Sequence, residues 1–290
     1  MSGNYDPLIL KYLLGNLGVS PQSAVPPQAL TPPIDLSHIL PTVSPAPSQP
    51  TLRASAARIV AGLSQVDDTD ITDGRILPSL EAIQIASGRK LKAAVLYNDL
   101  KGFSQLVATT PKKKVLKMLH AFVSEMARTA PDFGGEVVDC AGDRIMAVFW
   151  RPHKNDDRQP IYDALSCAFW MQTIVDRGLK PILARKGLPA ISCGIGIDYG
   201  QIVVTRVGIR NRNKLVLLGD AANSAAKLED LAGEGQTIVS PIVYANRPSF
   251  MMGNGWAFDP YPDGSAPAWY ISRCVFQADM PHREFVKRRT

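Results

Sequence analysis

Apolar and polar residues follow two different spacings along the chain, and the two alternate from about residue 91 onward. The apolar segment LKAAVLYND predicts a buried strand. A helix is predicted after it, because apolar residues recur at intervals of three and four positions and form one face: Val115, Leu119, Phe122 and Met126.

Two short apolar runs stand on either side of AGDR in GGEVVDCAGDRIMAVFW. This pattern predicts a β-hairpin with Gly142 and Asp143 at its turn. A second helix is predicted after the hairpin from one apolar face: Ile161, Leu165, Ala168, Met171 and Val175.

The segment ISCGIGIDYGQIVVTRVG predicts two strands that meet around Asp198 and Gly200, and KLVLLG predicts a third. A helix is then predicted to begin with Asp220 as its N-cap and to end near Gly233. GIGIDYG is not a dinucleotide-binding loop, because its glycine spacing is wrong and no helix follows at once. Strand, helix, hairpin, helix and strand predict the α/β (α+β) class with a ferredoxin-like βαββαβ core.

The N-terminal part of the chain has a different composition. Nine prolines lie between Pro21 and Pro50 among Ser, Thr, Gln and Ala, which favours extended chain over a packed unit. Short helices are predicted in PLILKYLLGNLG before this linker and in LRASAARIVAGLSQ and LPSLEAIQIASG after it. The predicted organisation is a short helix and Pro-rich linker at 1–50, a helical element at 51–90, an α/β domain at 91–275 and a basic tail at 276–290.

The composition is that of an ordinary globular protein, 46% hydrophobic and 20% charged, with a net charge of +6. Part of that charge lies in HREFVKRRT, and a basic tail is usually a solvated end. An RNA-binding ferredoxin-like module is disfavoured because the candidate aromatics Phe149 and Trp150 lie at a strand end, so no nucleic-acid partner is expected.

No apolar run approaches the ~18 residues of a membrane-spanning helix, and MSGNYDPLILKYLLG lacks the features of a signal peptide. A cytoplasmic protein is therefore expected. Four scattered cysteines form neither a disulfide framework nor a zinc motif, and most are expected to be core thiols: Cys140, Cys167, Cys193 and Cys274.

Two acids follow the predicted strands at points where they could meet. Asp99 ends the first core strand and Asp143 lies at the hairpin turn, so neighbouring strands would bring both carboxylates together. Two like charges ~4 Å apart repel by ~4 kcal/mol at an effective dielectric of about 20, so a proton or a cation must lie between them. Hard oxygen ligands suit Mg²⁺ or Mn²⁺, which often serve phosphate substrates. The alternative is that Asp99 caps a helix and Asp143 only occupies a turn.

Four segments occur in the order and approximate spacing of the class III nucleotidyl cyclases, the adenylate/guanylate cyclase family: VLYNDLKGFS, GGEVVDCAGDRIMAVF, CGIGIDYGQIVV and LVLLGDAANSAAKLEDLAGEGQTIVS. The chain resembles that family from about Leu91 to Val243. The resemblance implies a catalytic domain that acts as a head-to-tail homodimer on a nucleoside triphosphate. It also implies two divalent ions per site, Mn²⁺ or Mg²⁺, held by Asp99, Asp143 and the backbone carbonyl of Leu100.

The same resemblance assigns the ribose-orienting asparagine to Asn223 and the residue that stabilises the transition state to Lys227. These residues are four apart on the last predicted helix and share a face. The family usually has arginine at the second position, and lysine keeps the charge but lacks the bidentate fork. Purine-selective members read the base at the positions of Asp139 and Val216. Because Val216 cannot form a side-chain hydrogen bond, a changed base preference is expected.

Tyr97 and Arg144 stand beside the two acids, and a bulky wall with a hydrogen-bond donor suits a carbonyl-rich base such as uracil. YND with GDRIMAVF resembles the bacterial pyrimidine cyclases of Pycsar antiphage systems, which make cyclic UMP or cyclic CMP for a separate effector protein. UTP is therefore the first expected substrate and CTP the second. The predicted substrate-binding residues are Tyr97, Phe103, Asp139, Arg144 and Val216. Three alternatives stay open: Tyr97 packs in the core while Arg144 pairs with Asp139, the protein is an adenylate or guanylate cyclase, or it is a degenerate nucleotide-binding module.

Overall fold

The structure is a computed structural model that describes residues 52–151, 158–251, 256–262 and 270–274. The chain divides into two units, Met1–Leu52 and Arg53–Thr290. Apart from Leu52, the first residue of the first helix, the elements below belong to the second unit. The predicted helix in PLILKYLLGNLG, the Pro-rich linker and the basic tail at 276–290 lie outside the described residues.

One sheet of nine strands is found in the described part of the chain. In chain order the strands are β1 (Ile71–Asp73), β2 (Gly88–Leu100), β3 (Gly135–Ala141), β4 (Arg144–Phe149), β5 (Cys193–Ile209), β6 (Arg212–Leu218), β7 (Thr237–Val239), β8 (Trp256–Pro260) and β9 (Tyr270–Cys274). Their main order across the sheet is β3-β4-β2-β5-β7-β9-β8, with β1 paired to β2 and β6 paired to β5.

The α-helices are α1 (Leu52–Asp67), α2 (Phe103–Thr109), α3 (Lys112–Asp132), α4 (Arg158–Thr173), α5 (Lys180–Arg185), α6 (Asp220–Leu231) and α7 (Pro241–Asn246). A π-helical segment, Ile174–Leu179, joins α4 to α5, and a 3₁₀ turn, Ser249–Met251, follows α7. In the described ranges, no helix has both the length and the apolar character needed to cross a membrane.

The predicted ferredoxin-like core is confirmed. The elements β2, α3, β3, β4, α4 and β5 supply the βαββαβ succession, and β2 lies antiparallel to both β4 and β5. The hairpin of β3 and β4 is also confirmed, with Gly142 and Asp143 between its strands and a positive φ of 67° at Gly142. That φ favours a glycine at this position of the turn.

Side chains of β2 are buried on both faces of the sheet because they alternate along the strand. Ala94 and Leu96 lie in the core formed with α3 and α4, whereas Ala93 and Val95 lie in a second core formed with α6. The predicted inward faces of α3 and α4 are buried or half-buried. The strand that carries Asp99 near its end is therefore packed between helices on both faces of the sheet.

The prediction of a helix in LPSLEAIQIASG is wrong. Residues 77–87 form turns, and Ile85 makes a β-bridge to Arg206 while the Ala86 amide donates to the Arg206 carbonyl. Backbone pairing with the edge of β5 replaces the helical hydrogen bonds here. The helix predicted in LRASAARIVAGLSQ is confirmed as α1.

Two smaller predictions need correction. The two strands expected around Asp198 and Gly200 are one strand, β5, because its pairing with β2 continues without a break. Asp220 is the first residue of α6 rather than its N-cap. The predicted end of this helix near Gly233 is confirmed, since the helix ends at Leu231 and Ala232 is its C-cap.

The cysteine expectation is confirmed at two positions. Cys167 and Cys193 are buried free thiols, whereas Cys140 is exposed because it lies on the edge strand β3. The side chain of Cys274 lies outside the described residues.

Candidate active site

Asp99 and Asp143 meet at one end of the sheet. The register pairs Asn98 of β2 with Ile145 of β4, so Asp99 lies one residue beyond this pair and Asp143 lies directly before β4. Both residues are half-buried, and their carboxyl groups are close enough for Asp99 to influence the protonation of Asp143. The predicted convergence of the two carboxylates is therefore present in the geometry, while their role in metal binding stays a prediction.

The Asp143 carboxyl group holds protons more strongly than an ordinary aspartate. Burial, and after it the negative charge of Asp99, raise the pKa of Asp143 from 3.8 to about 6, while the Arg144 charge opposes this shift. Two carboxylates that share a site have this behaviour, because both cannot ionise freely. The pair can hold a proton at mildly acidic pH, and at higher pH, where both groups ionise, it can bind a cation.

The donors available at this point are oxygens. Nowhere in the described residues do three or more His, Cys, Asp or Glu side chains form a group that could hold a metal ion. The third predicted oxygen ligand, the carbonyl of Leu100, belongs to the last residue of β2, directly after Asp99. Mg²⁺ is commonly bound through one or two carboxylates, with water and substrate phosphates completing its shell. The residues present therefore fit Mg²⁺ or Mn²⁺.

A buried carboxylate on α6 contacts the basic residues that follow these acids. Glu229 Oε1 accepts a hydrogen bond from Lys101 Nζ at 2.7 Å, and Glu229 Oε2 lies 2.7 Å from Arg144 Nη2. Arg144 Nη2 also donates to Asp230 Oδ1 at 2.7 Å. Burial raises the pKa of Glu229 above its ordinary value, although Lys101 and Arg144 favour its charged form.

Tyr97 and Arg144 lie together beside the acids. The Arg144 guanidinium carbon lies 5.9 Å from the centre of the Tyr97 ring, within the range of a cation–π contact. Burial raises the pKa of Tyr97, and the Arg144 charge opposes that shift. We call Tyr97, Asp99, Asp143 and Arg144 the acid pocket.

The alternative that paired Arg144 with Asp139 is wrong, because Arg144 pairs with Glu229 and Asp230 while Asp139 Oδ2 lies 3.1 Å from Lys214 Nζ. The alternative that packs Tyr97 in the core is correct in part. The Tyr97 ring packs against the core between the sheet and α6, and the residue as a whole is half-buried.

Three predicted substrate-binding residues are not among those that define the acid pocket: Asp139, Phe103 and Val216. Asp139 is half-buried on β3 and pairs with Lys214. Val216 is half-buried on β6 and pairs with Thr205 of β5. Phe103 begins α2 and packs against the main core. Their roles toward a substrate stay predictions.

Asn223 and Lys227 lie on the exposed side of α6, which we call the outer face. An α-helix turns by about 100° per residue, so Lys227 and Glu229 point about 200° apart. Glu229 contacts Lys101 and Arg144, whereas Lys227 is on the exposed side of the helix. The structure therefore brings Asp99, Asp143, Tyr97 and Arg144 together and leaves Asn223 and Lys227 apart from them.

Glycines in β5 explain why α6 lies so close to the sheet. A Cβ atom on Gly196 would lie 2.2 Å from the Ala225 carbonyl oxygen and from the Glu229 amide nitrogen. A Cβ atom on Gly194 would lie 2.1 Å from Lys101 Cε. The spacing of GIGIDYG therefore provides room for α6 and for the Lys101 side chain.

The family model described as the adenylate and guanylate cyclase catalytic domain matches residues 85–252. A uridylate cyclase of Burkholderia cepacia is 31% identical over 202 residues, which cover 67% of this chain and 86% of the relative. A uridylate cyclase of Rhodovulum sp. (strain MB263) is 29% identical over 185 residues, covering 61% of this chain and 75% of the relative.

A similar fold occurs in the crystal structure of the adenylyl cyclase CyaB from P. aeruginosa. Its TM-score is 0.57 at 20% identity, with 67% of this chain and 99% of that chain covered. The class of protein that the fold and the family match define is thus a nucleotide cyclase. The chain belongs to the adenylate and guanylate cyclase catalytic domain family.

Sequence reasoning missed Lys101 and Glu229. Each carries a local signal, because Lys101 lies two residues after Asp99 and Glu229 two residues after Lys227. The sequence does not reveal that Lys101 and Glu229 pair with each other, because they are 128 positions apart.

Proposed function

We propose that this protein converts a ribonucleoside triphosphate, UTP first and CTP second, into its 3′,5′-cyclic monophosphate and pyrophosphate. The observation that carries the proposal is the meeting of Asp99 and Asp143 beside a tyrosine and an arginine. Such a pocket combines a place for a triphosphate with side chains that can distinguish a base.

In the proposed reaction the ribose 3′-oxygen forms a bond to the α-phosphorus while the bond from that phosphorus to the β-phosphate oxygen breaks. The carboxylates of Asp99 and Asp143 and the carbonyl of Leu100 would hold two Mg²⁺ or Mn²⁺ ions. These ions would lower the pKa of the 3′-hydroxyl and neutralise phosphate charge. The half-buried position of Asp99 and Asp143 limits their movement and reduces the reorganisation needed during the reaction.

Recognition of the base is assigned to Tyr97 and Arg144. The guanidinium presents N–H donors that match the carbonyl oxygens of uracil, and the ring provides an apolar wall. Val216 supplies no hydrogen bond where purine-selective members of the family have a polar side chain. The names of the two uridylate cyclases support the same preference.

A head-to-tail homodimer is proposed because of the outer face of α6. Lys227 is exposed on that face, which supports a role for its charge toward a triphosphate in the pocket of another chain. In that arrangement Asn223 orients the ribose and Lys227 offsets the charge that develops on the phosphates. A two-fold assembly of this kind contains two equivalent sites.

A role in antiphage defence is also proposed, in which a separate effector protein reads the cyclic nucleotide. Its support is the resemblance of YND and GDRIMAVF to the Pycsar cyclases.

The direct test is to incubate the purified protein with each of ATP, GTP, CTP and UTP in the presence of Mn²⁺ and to identify products by mass spectrometry. Cyclic UMP is expected as the main product. A dominant cyclic AMP or cyclic GMP would overturn the pyrimidine assignment and leave a purine cyclase. The absence of a cyclic product from all four triphosphates would favour a degenerate nucleotide-binding module.

A further inference from the structure

Glu229 is a fully buried carboxylate between two basic side chains. Its side chain has 0% of its surface exposed, while those of its partners Lys101 and Arg144 are 18% and 35% exposed. A buried charge of this kind is costly to leave unpaired, so its partners are held firmly. Lys101 Nζ also donates to the Glu229 backbone carbonyl at 2.8 Å, which ties it to the last turn of α6.

The fold provides space for this contact. The stem of Lys101 occupies the place that a side chain at position 194 would take, because a Cβ there would meet Lys101 Cε at 2.1 Å and the Ala232 carbonyl oxygen at 2.8 Å. The glycine in β5 therefore admits the side chain that neutralises one oxygen of Glu229. The other oxygen is left to Arg144.

Arg144 has two sets of negative charge within reach. Asp99 and Asp143 interact with its charge, and Glu229 and Asp230 of α6 form ion pairs with it. Asp230 is 64% exposed, and a pair with such an exposed partner contributes little. Arg144 donates a hydrogen bond to Asp230, whereas its contact with Glu229 Oε2 is an ion pair to an oxygen that has no hydrogen-bond partner within the described residues. Because Glu229 is fully buried, its charge is the stronger reason for the guanidinium to stay beside α6.

We propose that Glu229 is a positioning residue for base selection, whose carboxylate holds the Arg144 guanidinium next to the Tyr97 ring. This inference rests on the proposed function, because it assigns the position of Arg144 as the feature that selects the pyrimidine. Without the carboxylate, Arg144 would turn toward Asp99 and Asp143. It would then lose its alignment with the base and compete for the cation-binding oxygens.

The test compares Glu229→Gln with the wild-type protein. For each, kcat/KM is measured with UTP and with ATP in Mn²⁺, and the binding of both nucleotides is measured by calorimetry. The preference for UTP over ATP is expected to fall by about tenfold or more, since a displacement of about 1 Å in a site can cost that much or more. A merely structural role for Glu229 would lower the rates with both nucleotides equally and leave their ratio unchanged.

Two further variants act as controls. Asp230→Asn removes the exposed partner of the same guanidinium and should leave the UTP preference within about twofold of wild type. Lys101→Met removes the other partner of Glu229, so it should lower the melting temperature while the UTP preference is retained. If both controls shift the preference as strongly as Glu229→Gln, the assignment to Glu229 is overturned.

A pair of changes keeps the test decisive if Glu229→Gln alone does not fold. The double variant Lys101→Met with Glu229→Gln removes two opposite charges together, which is less costly than leaving one of them unpaired. A reduced UTP preference in this variant supports the proposal, and an unchanged one rejects it. If the wild-type protein forms no cyclic product, the proposed function fails, and the ratio of UTP to ATP binding still decides the role of Glu229.

Discussion

The acid pocket and the outer face of α6 differ in how completely one chain builds them. In the acid pocket, Asp143 lies against Asp99 and Arg144 contacts Glu229, so each of these charges has a charged neighbour in the same chain. On the outer face, Asn223 and Lys227 are exposed, and their side chains make no hydrogen bond or ion pair within the described residues.

This difference indicates how the two regions are used. Charges held in a half-buried pocket are placed before a ligand arrives, which favours binding and chemistry at that point. Polar residues on an exposed helix face have either of two roles, a solvated surface or half of a site completed by another chain. Lys227 and Asn223 share that face, and the tests below separate the two roles.

The largest expected effect comes from removing one acid of the pocket. Asp143→Asn keeps the size of the side chain but removes the charge that would hold a cation. Cyclase activity with Mn²⁺ should fall by at least about a thousandfold, which corresponds to about 4 kcal/mol of transition-state stabilisation. The measurement is cyclic nucleotide formed per minute, with the dimer content checked by analytical ultracentrifugation.

The matched control is Asp176→Asn, which makes the same chemical change in an exposed pair with Lys180 far along the chain from the acid pocket. Its activity should stay within about twofold of wild type, because exposed pairs contribute little. Full activity of Asp143→Asn would contradict the metal assignment and remove the difference between the pocket and an ordinary surface.

The next largest effect concerns the outer face. Lys227→Ala should lower activity by about a hundredfold if its charge stabilises the transition state. Mixing this variant with Asp143→Asn should restore activity, because each heterodimer of a head-to-tail assembly then contains one intact site. With random exchange of subunits, about a quarter of the wild-type activity is expected, since half of the dimers are mixed and each has one working site of two.

The control for this experiment is each inactive variant mixed with itself under the same conditions. No recovery in the mixture, with subunit exchange demonstrated, would show that Lys227 does not act across chains. The outer face would then be a solvated surface, and the head-to-tail proposal would fail.

The ferredoxin-like core and the meeting of two acids were both predictable from the sequence, because they depend on local patterns. The strand that ends in Asp99 and the hairpin turn that holds Asp143 are each signalled by residues close in the chain. The helix predicted at 77–88 failed because pairing with Arg206 of a distant strand overrides local propensity. Similarly, the sequence around GIGIDYG predicts two strands, but the structure has one continuous strand there. Its glycines make room for α6, which cannot be known from the local sequence.

The ionic contacts of the site were not predictable. Arg144 has acidic residues nearby in the sequence, including Asp139, yet it pairs with Glu229 on α6. That choice depends on how α6 packs on β5, and the glycines that allow this packing are far from both partners in the sequence. Charge pairs that depend on packing carry no periodic signal in the sequence.

A smaller effect is expected from Tyr97→Phe, which removes the hydroxyl group and keeps the ring beside Arg144. If the hydroxyl hydrogen-bonds the base, the preference for UTP over ATP should fall by about tenfold, the usual range for one neutral hydrogen bond. The readout is the ratio of kcat/KM values for the two nucleotides. The control is Phe149→Leu in the core, which should lower the melting temperature and leave this ratio unchanged. An unchanged ratio in Tyr97→Phe would show that Tyr97 acts only as an apolar wall.

The smallest expected effect is on the stability of the metal-free protein. The pKa of Asp143 is raised from 3.8 to about 6 in the folded state, so folding favours its protonated form. This contribution is complete below about pH 4 and is lost as the pH rises through about 6, so the melting temperature should fall over that interval by a few degrees. Other buried acids shift in the same direction, including Glu229 and Asp198, so the informative quantity is the difference from Asp143→Asn. In Asp143→Asn the decrease in melting temperature between about pH 4 and about pH 6 should be smaller, whereas Asp176→Asn should show the full decrease.

Adding Mn²⁺ should raise the wild-type melting temperature more at pH 7.5 than at pH 5, because the cation competes with a proton for the same carboxylates. An equal rise at both pH values would mean that the ion does not bind at Asp99 and Asp143. The acid pocket would then be no better supported as the cation site than the outer face of α6.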